Sequence, residues 1–414
     1  MSGIMPNLLR RRRSGRVSGV TDWRDILVWR RLAECVEAQL AAASIDTRDA
    51  AAIARLRKRW DADLVAAALE LAEARRKAAG KFEDPSRLWC DVAGVEQASG
   101  AGVAAWKARR MRESLGAEAA ILDVCCGVGG DAMALAAAGL QVTSVDLDAR
   151  RAWMAGCNAG CETLVADAES LSLAGVALHA DPARRDERGG RRSWSLEDHQ
   201  PGRDWIVRAM REARAAAIKF SPGVDRREFG DIPIEWEFIE EGARLVQAVA
   251  WCGAFARDPG ATRATRISDG AGAGSVSTIS GPPRACACRE GALAPGVWIS
   301  EPAPALERAD LLAHAAGPAA TEIAPGLGLL ASEAPLPSPW FEGFRFVEEC
   351  PARAEAVLEA LQRHGLAARS VRVRGKAVDA DAMTRAIRAR PDGDAVVFAF
   401  RRGVRATAAI ARLA

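Results

Sequence analysis

The stretch ILDVCCGVGGDAMALAAAG, residues 121–139, decides how this chain is read. An apolar run carries Asp123 near its end and gives way to the turn Gly127-Val128-Gly129-Gly130. An alanine-rich run with helical character follows. Glycines let a backbone bend tightly and approach a ligand, and the helix that follows offers its N-terminus to it. A second apolar run, QVTSVDLD, carries Asp146. It lies about 20 residues on, where dinucleotide-binding folds place an acid for the ribose hydroxyls.

The details of the turn argue against a dinucleotide. The spacing is not G-x-G-x-x-G, because Gly129 and Gly130 are adjacent and Asp131 follows them. An acid at a helix N-terminus repels a pyrophosphate and suits a cation. Asp123 adds a second negative charge ahead of the turn. S-adenosylmethionine has no phosphate and carries a sulfonium and an ammonium, so the pair of acids fits it better.

Outward from this stretch, short apolar runs alternate with helical ones between residue 120 and about residue 255. The strands are AILDVC, QVTSVDLD, ETLVADA, VALHADPA, AAIKFSP and IEWEFIEE. That alternation predicts a doubly wound, Rossmann-like α/β sheet. Residues 22 to about 78 place apolar side chains at helical spacing with an Asp near each start. Residues 257–296 are rich in Gly, Ser, Thr and Pro and read as a hairpin or a long loop. From Phe344 the pattern becomes β-α-β-α-β-β, a small α+β domain expected to be ferredoxin-like. The expected layout is a basic tail over 1–20, a helical region over 21–100, the α/β domain over 101–300, a connector over 301–340 and the α+β domain over 341–414.

Composition bounds the function. A chain of 414 residues has room for two or three domains. No run of 18 or more apolar residues lacks charge, so no membrane span is expected. The ten cysteines form no regular framework, and Cys286 and Cys288 have no partner pair at zinc spacing. Reduced thiols, a cytoplasmic setting and no metal are the expectation. Net charge is only +3, but residues 351–414 hold 13 Lys/Arg against 6 Asp/Glu, a surplus of +7. Such a surplus points to a polyanion or to a solvated basic face.

The acid, the glycine turn and the spaced acids after it resemble class I S-adenosylmethionine-dependent methyltransferases. That resemblance implies S-adenosylmethionine as cofactor, held by Asp123, Cys125, Gly127, Gly129, Asp131, Asp146, Leu147, Asp167 and Ala168. Within the family, DVCCGVGGD is similar to the turn of the trimethylguanosine synthase group, which methylates an exocyclic amine of guanine. RRKAAGKF, EQASGAGVAAWKARRM, IKFSPGVD, EPAPALERADLL and VRGKAVDADAMTRAI together resemble a bacterial group with a THUMP-like C-terminal domain, over roughly residues 70–414.

The resemblance implies a substrate motif at the end of the fourth strand, where this chain has Asp181-Pro182-Ala183-Arg184. Amine-directed relatives carry Asp/Asn-Pro-Pro-aromatic there, so the second Pro and the aromatic are replaced. Asp181 and Pro182 are the expected acceptors for an amine. Arg184 can stack on a base or hold a phosphate. Trp194 can supply the missing ring or anchor its loop, and Arg185 opens an arginine-rich stretch suited to phosphate. Arg372, Arg374 and Lys376 are the candidate RNA contacts in the C-terminal module. The expected function is methylation of a base nitrogen, an exocyclic amine, in ribosomal or transfer RNA. Rival expectations are a protein or small-molecule acceptor, and a non-catalytic RNA-binding factor on a degenerate methyltransferase fold.

Overall fold

The computed structural model describes residues 23–184, 196–268, 275–288 and 293–413. These divide into two compact units. The first takes in the described residues up to Gly242 with Val246–Gly260 and Ile267–Ser275; the second takes in Ala243–Leu245, Ala261–Arg266 and the residues from Val276.

The first unit begins with helices α1 (Trp23–Glu34), α2 (Val36–Ala43), α3 (Ala50–Leu56), α4 (Ala62–Ala78), α5 (Val92–Gln97) and α6 (Ala101–Leu115). Aspartates start three of them. Asp49, Asp61 and Asp91 each accept a backbone N–H of the first turn of α3, α4 and α5, which satisfies donors a helix cannot pair internally. Then come β1 (Ala120–Val124), α7 (Gly130–Ala137), β2 (Gln141–Asp146), α8 (Ala149–Ala159), β3 (Glu162–Val165) and β4 (Ala177–Ala180). A two-residue pair, β5 (Ala183–Arg184) and β6 (His199–Gln200), precedes α9 (Arg203–Glu212), β7 (Ala215–Phe220), β8 (Glu235–Glu241) and β9 (Arg244–Gly253).

In the sheet of this unit the strands run β8-β9-β7-β4-β1-β2-β3. β1 is parallel to β2 and β4, β2 to β3, and β4 to β7, whereas β9 is antiparallel to β7. The order reverses at β1, which leads on to β2 on one side and has β4 on the other. Sheets of this kind open a ligand crevice at that switch point, beyond the carboxyl ends of the strands. Asp123 and the glycine turn lie at the end of β1, and Asp181 follows the end of β4.

The N-terminal helices do not stand apart from this sheet. Trp29, Leu32, Leu71 and Val95 share one buried cluster with Val128 of the turn and Met154 of α8. The region 21–100 and the start of the α/β domain therefore build a common core.

The second unit contains β10 (Thr262–Ile267), β11 (Val276–Gly281), β12 (Trp298–Pro302), the short helices α10 (Pro304–Arg308) and α11 (Leu312–Ala316), β13 (Thr321–Glu322), β14 (Leu330–Ser332), β15 (Phe341–Pro351), α12 (Ala354–Arg363), β16 (Ala368–Val373), α13 (Ala380–Ala386), β17 (Ala395–Arg402) and β18 (Arg405–Leu413). Seven strands form one sheet in the order β13-β14-β12-β15-β18-β17-β16. The β-α-β-α-β-β order expected from Phe344 onward is present. The ferredoxin-like arrangement is not, since that fold runs β-α-β-β-α-β. Here α13 returns the chain to β17, parallel to β16, and β18 then fills the place between β17 and β15. The stretch expected to be a connector supplies strands to the same sheet: β12 pairs with β15 along Trp298–Pro302, and β14 with β12. Irregular sequence around those short strands hides them from a periodicity reading.

Among the described residues no helix is long and apolar enough to cross a membrane, and no cluster of three or more His, Cys, Asp or Glu is placed to hold a metal. The arginine-rich stretch with Arg185 and Trp194 lies outside the described residues, as does the side chain of Arg184.

Candidate active site

The turn after β1 is built from backbone that few residues adopt. Cys125 has φ 58°, Gly127 φ 55° and Gly129 φ 84°. At Gly129 a side chain is excluded twice over: the φ is left-handed, and a Cβ would lie 2.7 Å from Ala155 Cα on α8. Gly129 thus serves helix packing. At Gly127 a Cβ would meet nothing within 4 Å, so open space faces that residue.

Neighbouring elements pin the turn. Cys126 N donates to Val145 O at 3.1 Å. Asn158 Nδ2 of α8 donates to Val128 O at 2.8 Å and to Trp89 O at 2.7 Å. Asp146, the last residue of β2, accepts Gly127 N on Oδ2 at 2.9 Å and Asp148 N on Oδ1 at 2.9 Å. Leu147 lies half-buried between these two acids, and Asp148 accepts the first backbone N–H groups of α8. Beyond β3, Asp167 accepts Glu169 N at 2.9 Å and starts a single helical turn that includes the buried Ala168.

Four of the acids singled out in the sequence converge on Cys125. Burial first, and then the charges of Asp146, Asp181, Asp123 and Asp167, push its thiol well above the ordinary range. Cys126 is raised in the same way. Both thiols stay protonated at neutral pH, so neither is a nucleophile.

Asp123 and Asp131 do something the sequence did not reveal. Asp123 is directly opposite His179 in the register of β1 and β4, and its Oδ1 lies 2.7 Å from His179 Nδ1. His179 Nε2 lies 3.2 Å from Lys107 Nζ of α6. Lys107 Nζ in turn stands 2.7 Å from Asp131 Oδ1 and donates to Ser99 Oγ at 3.2 Å. Ser99 Oγ donates to Asp131 Oδ2 at 2.9 Å. All these residues are buried. Burial alone would raise the Asp131 carboxyl, but Lys107 and His179 outweigh it and hold it far below the usual carboxylate range. Asp131 is therefore committed to Lys107. The cation beside it in the structure is Lys107 of α6.

Asp123 keeps one unsatisfied atom. Its Oδ2 is buried with no hydrogen-bond partner among the described residues. Burial raises its carboxyl, partly offset by the hydrogen bond from His179. A buried carboxylate oxygen without a donor calls for one, and a bound cation answers that need. Together with the open space at Gly127 and the Asp146 carboxylate, this suits S-adenosylmethionine, whose ammonium and sulfonium are positive.

Asp181 follows β4. Its backbone N donates to Val124 O of β1 at 3.1 Å, which ties the two strand ends together. Its carboxylate Oδ2 lies 2.6 Å from Lys219 Nζ of β7, and its side chain is 30% exposed. Oδ1 has no partner among the described residues. Pro182 beside it is buried. Lys219 Nζ also donates to Gln97 O at 3.3 Å. Lys81 caps the end of α5 by donating to Val95 O at 2.7 Å and Glu96 O at 3.2 Å. The strand motif IKFSP and the His in VALHADPA thus carry site residues that the sequence reading passed over. A lysine and a histidine inside otherwise apolar strands were the available signal, since buried charge is kept only when paired.

Arg110 of α6 is a packing anchor. It is buried, pairs with Glu235 at 2.7 Å and Glu237 at 3.2 Å, and lies over the Trp251 ring. In the second unit, Arg372 pairs with Glu301 and Glu342, and Arg374 with Glu301 and Glu307 at 3.0 Å each. These two expected RNA contacts are neutralised within their own unit. Lys376 is exposed, at φ 51°, outside that network.

Asp146→Ala removes both hydrogen bonds that hold the turn to β2. Donor affinity is expected to fall about tenfold or more, at about 1 kcal/mol per bond, read by calorimetric titration with S-adenosylmethionine.

No family model matches the chain. It is 30% identical over 335 residues to a Mycobacterium tuberculosis protein described as an uncharacterised S-adenosylmethionine-dependent methyltransferase, covering 76% of this chain and 87% of the relative. The sequence from a second strain of the same organism matches equally. Among solved structures, a Porphyromonas gingivalis W83 protein, provisionally described as a methyltransferase, superposes with a TM-score of 0.69 at 16% identity, over 95% of this chain and all of that one.

Proposed function

Because this chain belongs to the S-adenosylmethionine-dependent methyltransferases, we propose that it transfers the methyl group to a nitrogen of an RNA base, with Asp181 receiving the acceptor amine. One observation carries the choice of nitrogen. Asp181 stands after β4, beside the end of β1, with Oδ2 held by Lys219 and Oδ1 unpartnered among the described residues. A carboxylate so placed accepts a hydrogen bond from an N–H and orients the lone pair of that nitrogen for in-line attack.

The donor supplies an electrophilic methyl carbon. As the acceptor nitrogen bonds to that carbon, the carbon–sulfur bond breaks with its electron pair left on sulfur, and the proton of the nitrogen passes to Asp181 and on to solvent. Asp146 and the Gly127 backbone hold the ribose end of the donor in this reading, and Asp123 Oδ2 meets its positive charge.

RNA as the acceptor draws on the basic surplus of residues 351–414 and on the resemblance of this region to a THUMP-like module. With Arg372 and Arg374 paired internally, the contacts fall to Lys376, Arg385 and Arg388, which are exposed around α13. The same internal pairing favours a protein or small-molecule acceptor as the second reading. Labelled S-adenosylmethionine incubated with total RNA from a strain lacking the protein separates them. Nucleoside mass spectrometry is expected to find the label on a base nitrogen. Label confined to ribose or to carbon, or absent from RNA, would sink the reading.

Donor binding should also depend on pH. Burial raises the carboxyls of Asp123 and Asp146 in the protein alone. A bound cation favours their ionised forms, so binding releases protons and affinity falls as pH drops through that raised range. Calorimetry in buffers of different ionisation enthalpy reads the proton release directly, and binding without it would remove the two acids from the donor site.

A further inference from the structure

We infer that Lys219 is a positioning residue for Asp181, fixing which carboxylate oxygen meets the acceptor nitrogen. The inference rests on the reading of Asp181 as the group that receives the amine.

The placement follows from the sheet. β7 runs parallel to β4, and the register pairs Ala180 with Ile218. The residues that follow this pair are Asp181, just beyond β4, and Lys219, within β7, so the two side chains stand side by side. Lys219 is 16% exposed, and its Nζ stands 2.6 Å from Asp181 Oδ2. A second bond, to Gln97 O at 3.3 Å, ties the ammonium to the last residue of α5. The lysine is thus held from two directions, and the carboxylate it holds has one orientation rather than a rotating pair of oxygens.

This has a chemical consequence. With Oδ2 held by Lys219, Asp181 orients the acceptor nitrogen through Oδ1. When the nitrogen–carbon bond forms, the nitrogen becomes acidic, and its proton can leave through that oxygen.

The test uses Lys219→Met and Lys219→Arg in the full chain, with labelled S-adenosylmethionine and total RNA from a strain lacking the protein. Lys219→Met is expected to lower the transfer rate by about 10- to 100-fold through misplacement of the carboxylate. Donor affinity should stay within about twofold, and Lys219→Arg should recover most of the rate. A Lys219→Arg chain no faster than Lys219→Met, or donor affinity that falls by the same factor as the rate, overturns the role. A crystal structure of the Lys219→Met chain supplies a readout independent of RNA, with the Asp181 carboxylate expected to leave its wild-type orientation and an unchanged orientation counting against the inference. A wild-type chain that labels no RNA overturns the RNA reading alone, because the orientation of Asp181 in Lys219→Met still decides what Lys219 does.

Discussion

Asp181→Ala should slow methyl transfer by about 10²- to 10⁴-fold, the range expected when a positioned acid–base group is lost. Donor affinity should stay within about threefold, because the carboxylate takes no part in the bonds that hold the glycine turn. Those come from Asp146, Val145 and Asn158. The backbone bond from Asp181 N to Val124 O survives the substitution, so the strand ends keep their places. Asp181→Asn makes a sharper probe. It keeps an oxygen that accepts from the amine and loses the capacity to take its proton, so its rate should fall between wild type and alanine. Labelled-methyl incorporation gives the rate and calorimetry gives the donor affinity. Full activity in the alanine variant would remove Asp181 from the chemistry, while a parallel loss of donor binding would move it to the donor site.

Lys107→Met should destabilise the protein by about 3–5 kcal/mol, the cost of breaking a buried ion pair from one side. Methionine fills a similar volume, so the loss is electrostatic rather than a cavity. What remains is Asp131, buried with only Ser99 donating to it, close to Asp123 and His179. For a unit of this size the melting temperature should fall by roughly 10 °C. Asp131→Asn added to Lys107→Met should recover much of it, with a coupling above about 1 kcal/mol in the double-mutant cycle. The pH dependence carries a sign. The folded-state pKa of Asp131 is depressed, so its stabilising contribution is present above the ordinary carboxylate range and is lost only as pH falls through the depressed value. Wild type should therefore hold its melting temperature to lower pH than the Lys107→Met chain. Equal stability of the two chains would show that the pair is dispensable.

Much of the α/β architecture was legible because it is written locally. Asp123, the glycines and Asp146 follow one another within a strand, a turn, a helix and a second strand, and each step has its own signature. Asp181 could be placed for the same reason, since it follows an apolar strand and precedes a proline. The partners of these acids could not be placed. His179 meets Asp123 only through the register of β1 with β4, and Lys219 meets Asp181 only through that of β4 with β7. Lys107 reaches Asp131 from a helix that precedes the sheet. Parallel strands are joined by long crossovers, so their pairing leaves no trace in neighbouring residues. The same limit hid the internal partners of Asp131, Arg372 and Arg374. In each case a charge was visible and the opposite charge that neutralises it lay far along the chain.

The short piece of backbone from Gln97 to Ser99 touches both halves of the site. Through Gln97 O it holds Lys219 and hence Asp181, and through Ser99 Oγ it holds Asp131 at the start of α7. A ligand that shifts this piece on binding at either half alters the other. Such a link is reciprocal: if the acceptor strengthens donor binding by some factor, the donor strengthens acceptor binding by the same factor. Order of addition then becomes a property of three residues, and a chain that binds its donor weakly alone can bind it well as the third member of a ternary complex.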